Sequence, residues 1–152
     1  MGLDQYFTKK TYIGANHDHN EVTGTVEIYV KGEKLPIRFD RISYISEEVG
    51  YWRKANAIHG WFVKNVQDGV DNCEEYHVSM EKIKELHSIC AEVLYNNKKA
   101  EELLPATDGF FFGSTYYDKY YYEDIKYTFN LLGNIITYGE GWRVDYYYNS
   151  SW

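Results

Sequence analysis

The chain has 152 residues, 44% of them hydrophobic and 18% aromatic, with a formal net charge of −7. That apolar content excludes a disordered chain. The acidic balance disfavours nucleic acid and anionic membrane as partners, because both are bound through clustered Lys and Arg.

The length predicts one domain, residues 1–152, with its own core. Residues 1–15 read as a first strand, with Tyr6, Phe7, Tyr12 and Ile13 near alternation. Met1-Gly-Leu-Asp4 lacks a basic region followed by an apolar run, so no secretory leader is expected. Gly2 would suit myristoylation, but Tyr6 stands where that motif needs Ser or Thr. No apolar run reaches membrane-spanning length, so a cytoplasmic location is expected. Residues 16–21 are polar and turn-like. Val26, Ile28 and Val30 alternate, Lys31-Gly-Glu-Lys34 reads as a turn, and Leu35, Ile37 and Phe39 resume the alternation. This pattern predicts a hairpin, with Pro36 on an edge.

A helix is predicted from Glu47 to Val66, capped by Ser46. Val49, Trp52, Asn56, His59, Val63 and Val66 repeat at 3,4 spacing. The opposite face carries Arg53, Trp61 and Lys64 around Ala57 and Gly60. A tryptophan on a polar face points to a partner or to burial from both sides. A second helix is predicted from Met80 to Asn96, with Ser79 as its cap and Val78 and Ile83 as a hydrophobic staple. Ile83, Leu86, Cys90 and Val93 form its core face. A helical turn follows over Ala100 to Leu104.

Gly109 to Thr115 reads as a buried strand or tight crossing. A third helix is predicted from Asp118 to Tyr138, with Tyr122, Ile125, Phe129, Leu132 and Ile136 on one face. Trp142, Val144, Tyr146 and Tyr148 alternate as a last strand. The fold class expected is α+β: a small antiparallel sheet, contributed by both chain ends, covered by about three helices.

Motifs for chemistry are sparse. His17 and His19 flank Asp18, but no further donors at fixed spacing complete a metal site, so no metal and no cofactor are expected. Gly109 and Gly113 enclose three phenylalanines, and no lysine precedes Ser114, so this is not a P-loop. Bases could still stack on aromatic rings beside Arg53 or Lys54. His59, central on its apolar arc, reads as a core histidine unless a pocket opens against it. Eight of the thirteen residues from Phe110 to Tyr122 are Phe or Tyr. Such a patch suits a two-sided core, a protein partner or self-association. Cys73 and Cys90 do not make a disulfide framework.

Met1-Gly-Leu-Asp-Gln-Tyr6, Ile42-Ser-Tyr-Ile45, Tyr51-Trp-Arg-Lys-Ala-Asn-Ala-Ile-His59 and Leu104-Pro105 with Gly109-Phe-Phe-Phe-Gly-Ser-Thr115 resemble a family of small phage and prophage proteins of unassigned role. The resemblance covers roughly residues 1–130. It carries over no catalytic residues. Members are sometimes labelled phosphoglycerate kinase, which is physically excluded here. That enzyme needs two lobes and a phosphate cradle. The resemblance implies a protein acting on a host cell by binding.

Two functional readings compete. The first is a non-enzymatic phage accessory protein that inhibits a host factor (anti-CRISPR, anti-restriction or anti-signalling). Its contacts would be Arg53, Trp61 and Lys64 with Tyr116, Tyr117 and Tyr120. The second is a small-ligand pocket that sequesters or acts on a nucleotide signal. There Tyr51, Arg53, Asn56 and His59 would meet Phe111, Ser114 and Thr115.

Overall fold

The computed structural model describes residues 2–139 and 141–152. Strand β1 spans Asp4–Tyr12 and buries Gln5 and Phe7 by period-2 alternation, in line with Leu3 just before it. A small hairpin follows, β2 (Tyr29–Val30) paired with β3 (Glu33–Lys34). Its turn is Lys31-Gly32, both at positive φ (51° and 83°), the backbone that a two-residue hairpin turn requires. The expected hairpin is therefore present, but it is shorter than the alternation implied and lies exposed.

The predicted helix from Glu47 is replaced over its first third by a strand. β4 runs Tyr44–Arg53, and only then does helix α1 begin, Asn56–Asn65. Ser46 is thus a strand residue and not a cap. Its segment pairs antiparallel with β1, from Tyr44 opposite Tyr12 to Arg53 opposite Asp4. A register shift falls between Phe7 and Thr8, where Val49 is the extra residue. That bulge breaks the two-residue period and left a spacing that imitates a helix. Gly50, next to it, lets the segment around Leu131 approach: a side chain there would overlap Leu131.

The rest of the order is β5 (Tyr76–Val78), α2 (Met80–Tyr95), α3 (Ala100–Leu103), α4 (Lys119–Tyr138) and β6 (Val144–Ser151). The main sheet is antiparallel, in the order β4-β1-β6-β5. The two inner strands come from opposite ends of the chain, as expected. The fold is α+β.

Helix α2 matches its prediction closely. Ser79 accepts from the Lys82 amide at 3.2 Å, and Ile83, Leu86, Cys90 and Val93 are buried. Helix α4 starts where Asp118 accepts from the Tyr120 and Tyr121 amides. Its buried residues are Tyr121, Ile125, Thr128, Leu132 and Ile135, so the face is rotated slightly from the one expected. Trp142 lies before β6 and is exposed.

Helices cover one sheet face. Phe62 of α1 stacks on Tyr148 at 3.9 Å, and Phe7 stacks on Tyr146 at 5.7 Å. Trp52 donates its indole N–H to Thr128 Oγ1 at 2.8 Å, tying β4 to α4. The other face carries Tyr6, Tyr51 and Tyr147. Tyr6 packs on Tyr51, and Lys10 lies over the Tyr147 ring at 4.3 Å. Among the described residues, no helix is long and apolar enough to cross a membrane.

Candidate functional site

Strand β4 ends by necessity at Lys54. Its φ of 61° is left-handed, a strained conformation for a residue with a side chain. The chain turns there and enters α1 with Ala55 at the cap position, where no side chain can accept from the first turn. The Asn56 amide is satisfied by the Lys54 carbonyl at 2.9 Å, and the first helical bond runs from the His59 amide to Ala55. Between them, the Ala57 and Ile58 amides have no acceptor among the described residues. The head of α1 is thus an uncapped positive dipole end.

A cleft of about 310 Å³ opens in front of it. One wall is Arg53, Lys54 and the first turn of α1. A second is Ser114 and Tyr116, and the third is the start of α4 with Tyr120 and Asp124. The volume lies at the small end of ligand sites, which run about 300–1,000 Å³.

Asn56 builds the second wall. It is only 5% exposed, and its side chain is fully used. Nδ2 donates to the carbonyls of Ser114 (2.8 Å) and Phe112 (3.2 Å), and Oδ1 accepts from the Thr107 amide at 3.1 Å. One buried side chain therefore pins the loop over residues 107–114 to the head of α1. Of the two readings offered for that loop, a buried strand or a tight crossing, the strand is not formed. Phe111 and Gly113 have φ of 67° and 93°, which turn the chain. Phe112 points into the core, while Phe110 and Phe111 face solvent. Gly113 has room for no side chain without pressing on Lys54 Cβ, at 3.1 Å.

The charges in the cleft are unevenly committed. The Lys54 ammonium has no partner among the described residues, and Arg53 reaches Asp4 only at 3.9 Å. Asp118 is occupied as the cap of α4, and Glu123 pairs with Lys119 at 3.4 Å. Asp124 makes no side-chain hydrogen bond or ion pair among the described residues. Burial, then the neighbouring Glu123 and Asp118 charges, push its carboxyl up to about 6.

The sequence-predicted residues divide accordingly. Arg53, Asn56, Ser114, Tyr116 and Tyr120 meet at this cleft. Tyr117 does not line it; its hydroxyl accepts from the Ala106 amide at 3.2 Å. Phe111 and Thr115 are exposed nearby without lining the cleft. Tyr51 does not line the cleft either. It lies on the open sheet face, where its hydroxyl donates to Asp4.

Trp61 corrects the expectation of an exposed docking indole. It is 7% exposed and belongs to the core, its ring edge-on to Phe62 at 5.3 Å. The helix is buried from both sides, so the indole on its polar-looking side packs within the same chain. Lys64 remains exposed beside it, along a smaller groove of about 190 Å³ that runs past Pro105 and Thr107.

His59 is also core, at 1% exposure. Nε2 bonds Asp71 Oδ2 at 2.9 Å, and Nδ1 bonds the Tyr148 hydroxyl at 2.8 Å. That hydroxyl reaches Gln5 Oε1 at 3.2 Å, and Gln5 Nε2 donates to the Ala55 carbonyl. The Trp152 indole closes the chain by donating to Asp71 Oδ1 at 3.0 Å. The Asp-His-Tyr order imitates a catalytic triad, but the hydroxyl is sealed in the core. Burial raises the Tyr148 hydroxyl well above its ordinary value, so it is neither reachable nor activated as a nucleophile. The network fastens α1 to β1 and β6.

Residue spacing alone did not reveal Asp124 or the Asp71–His59–Tyr148 chain. Asp124 sits beside the apolar stripe of α4, next to Ile125, where a carboxylate would ordinarily be solvated. Among the described residues, no group of three His, Cys, Asp or Glu is placed to hold a metal ion. No family model, curated protein or solved structure matches this chain, so its site is read from geometry alone.

Proposed function

We propose that this chain is a binding protein that captures a small nucleotide in the cleft at the head of α1. The observation that carries this reading is the uncapped first turn of α1 facing the same cleft as the unpaired Lys54 ammonium, Arg53, and the rings of Tyr116 and Tyr120. Helix amides and cations suit a phosphate. Tyrosine faces suit a base, and each stacked base contributes about 1–3 kcal/mol. The cleft is small enough that one mononucleotide is the fitting size. Sequestration of a nucleotide signal is the role that this chemistry serves most directly.

Calorimetry against nucleoside mono-, di- and triphosphates, cyclic dinucleotides and inorganic phosphate tests the reading. At least one mononucleotide should bind, and the double variant Arg53→Gln, Lys54→Gln should weaken it at least tenfold. An absence of binding across the panel would sink the idea.

A second reading, inhibition of a host factor by docking, loses Trp61 but keeps a specific support. Phe110, Tyr116 and Tyr120 are 82%, 78% and 73% exposed, the two tyrosines on the walls of the cleft, and aromatic anchors of this kind centre protein interfaces. Replacing all three by Ser would abolish partner capture under this reading. Phosphate binding at Arg53 and Lys54 would survive.

A further inference from the structure

We infer that Asp124 selects the base, so that the cleft takes guanine nucleotides in preference to adenine nucleotides. This rests on the nucleotide-binding reading above and adds the identity of the ring.

The argument begins with which carboxylates are available. Three acidic side chains line the cleft: Asp118, Glu123 and Asp124. The first caps α4, at 3.0 Å from the Tyr120 amide, and the second pairs with Lys119. Only Asp124 is uncommitted. Its backbone is also well anchored. Its own backbone carbonyl accepts from Thr128 Oγ1 at 2.7 Å, and that same hydroxyl accepts from the Trp52 indole. The next residue, Ile125, is fully buried. The backbone that carries the carboxylate is therefore held at the junction of β4 and α4, while the carboxylate oxygens have no donor among the described residues.

An ionised carboxylate offers acceptors only. The Watson–Crick edge of guanine presents N1–H and an exocyclic N2–H side by side, two donors that one carboxylate receives together. Adenine presents an exocyclic donor beside the N1 acceptor. Against a carboxylate, that acceptor faces an oxygen lone pair and stays unpaired. A bidentate match of this kind discriminates between bases by about ten- to a hundredfold.

Protonation would reverse the preference. A carboxylic acid offers one donor and one acceptor, the complement of adenine's edge. The charged and titratable groups that line the cleft with Asp124 are Glu123 on its own helix, Asp118 at that helix's cap, Arg53 and Lys54 at the end of β4, and Tyr116, Tyr120 and Tyr121, the Tyr121 hydroxyl being committed to the Leu104 carbonyl. Desolvation and the two acidic neighbours favour the protonated form, which places the change near pH 6. Asn at this position imitates the acid, with one donor and one acceptor at all pH values.

The test is calorimetry of the full chain with GMP, IMP and AMP at pH 7.5 and pH 5. Because the three share one phosphate, their affinity ratio isolates the base. At pH 7.5, GMP should bind at least tenfold tighter than AMP, with IMP, which lacks the 2-amino group, between them. The preference should invert towards AMP at pH 5, as it should for Asp124→Asn at both values. A GMP-to-AMP ratio near one at pH 7.5, or a guanine preference that survives Asp124→Asn, would overturn base selection and leave nucleotide capture standing. Failure of all three to bind would overturn both. The wild-type pH series stands by itself should the variant fold poorly.

Discussion

The Asn56 side-chain amide donates to the Ser114 carbonyl at 2.8 Å, across 58 residues of chain. With its bonds to Phe112 and Thr107, it makes one side chain the anchor of a loop that has no regular structure of its own. Asn56→Ala should cost about 2–4 kcal/mol, roughly one for each of three buried hydrogen bonds. Hydrogen exchange at the Thr107 amide should accelerate more than exchange within α2. Unchanged exchange at Thr107 would refute the anchoring role.

Tyr148→Phe keeps the ring stacked on Phe62 but removes the hydroxyl between His59 and Gln5. Two buried polar atoms then lose a partner. We expect a loss of about 1–3 kcal/mol in urea unfolding, with little change in the denaturant slope. A neutral result would mean that water replaces the hydroxyl.

Trp61→Ala should destabilise the chain by about 3–5 kcal/mol, as for other buried aromatic truncations. Thermal melting checks this directly. A variant that melts with the wild type would restore the indole to the surface.

Gly60→Ala runs against ordinary helix propensity. In an exposed helix the change would stabilise by about 1 kcal/mol. Here a methyl would overlap the Thr107 hydroxyl and lie 3.2 Å from Thr107 Cβ. Overpacking should win, at about 1–3 kcal/mol destabilising. The double variant with Thr107→Gly should recover part of the loss, which a double-mutant cycle measures.

The Asp124 carboxyl rises from 3.8 to about 6 on folding. The folded state therefore holds this proton more tightly than the unfolded state does. The contribution to stability is fully present below about pH 4 and is lost as the pH climbs to about 6. Asp124→Asn should consequently raise Tm at pH 7 and leave it nearly unchanged at pH 4. The residue proposed to read the base would then be one that the fold holds at a cost, a frequent trade at binding sites. A Tm gain of equal size at both pH values would contradict this.

Where sequence and structure agree, local rules and tertiary packing favour the same answer. Ser79, Ile83, Leu86, Cys90 and Val93 announce α2 because cap and stripe are both local. The residues of β4 carry no such agreement. Val49 and Trp52 fall at helical spacing with Asn56 of α1, and only the pairing with β1, some forty residues earlier, makes the segment extended. Trp61 misleads for a related reason. A helix enclosed on two sides has no polar face, so a polar-looking neighbourhood in sequence says little about where its indole goes. The cleft was half legible. Of the residues expected at a ligand pocket, Arg53, Asn56 and Ser114 line the cleft; Tyr116 and Tyr120 line it too but were expected at a partner surface, and Asp124 becomes informative only once its lack of partners is seen.

The two inner strands of the sheet impose an order on biosynthesis. β1 emerges first from the ribosome, yet its neighbour β6 is completed only at Ser151. Until then one side of β1 has no partner strand, and Tyr146 and Tyr148 are missing from beneath Phe7 and Phe62. Pairings so distant along the chain close slowly and leave strand edges open to aggregation. A nascent chain halted before residue 144 should therefore stay protease-sensitive and depend on chaperones, and protection should arrive in a single late step.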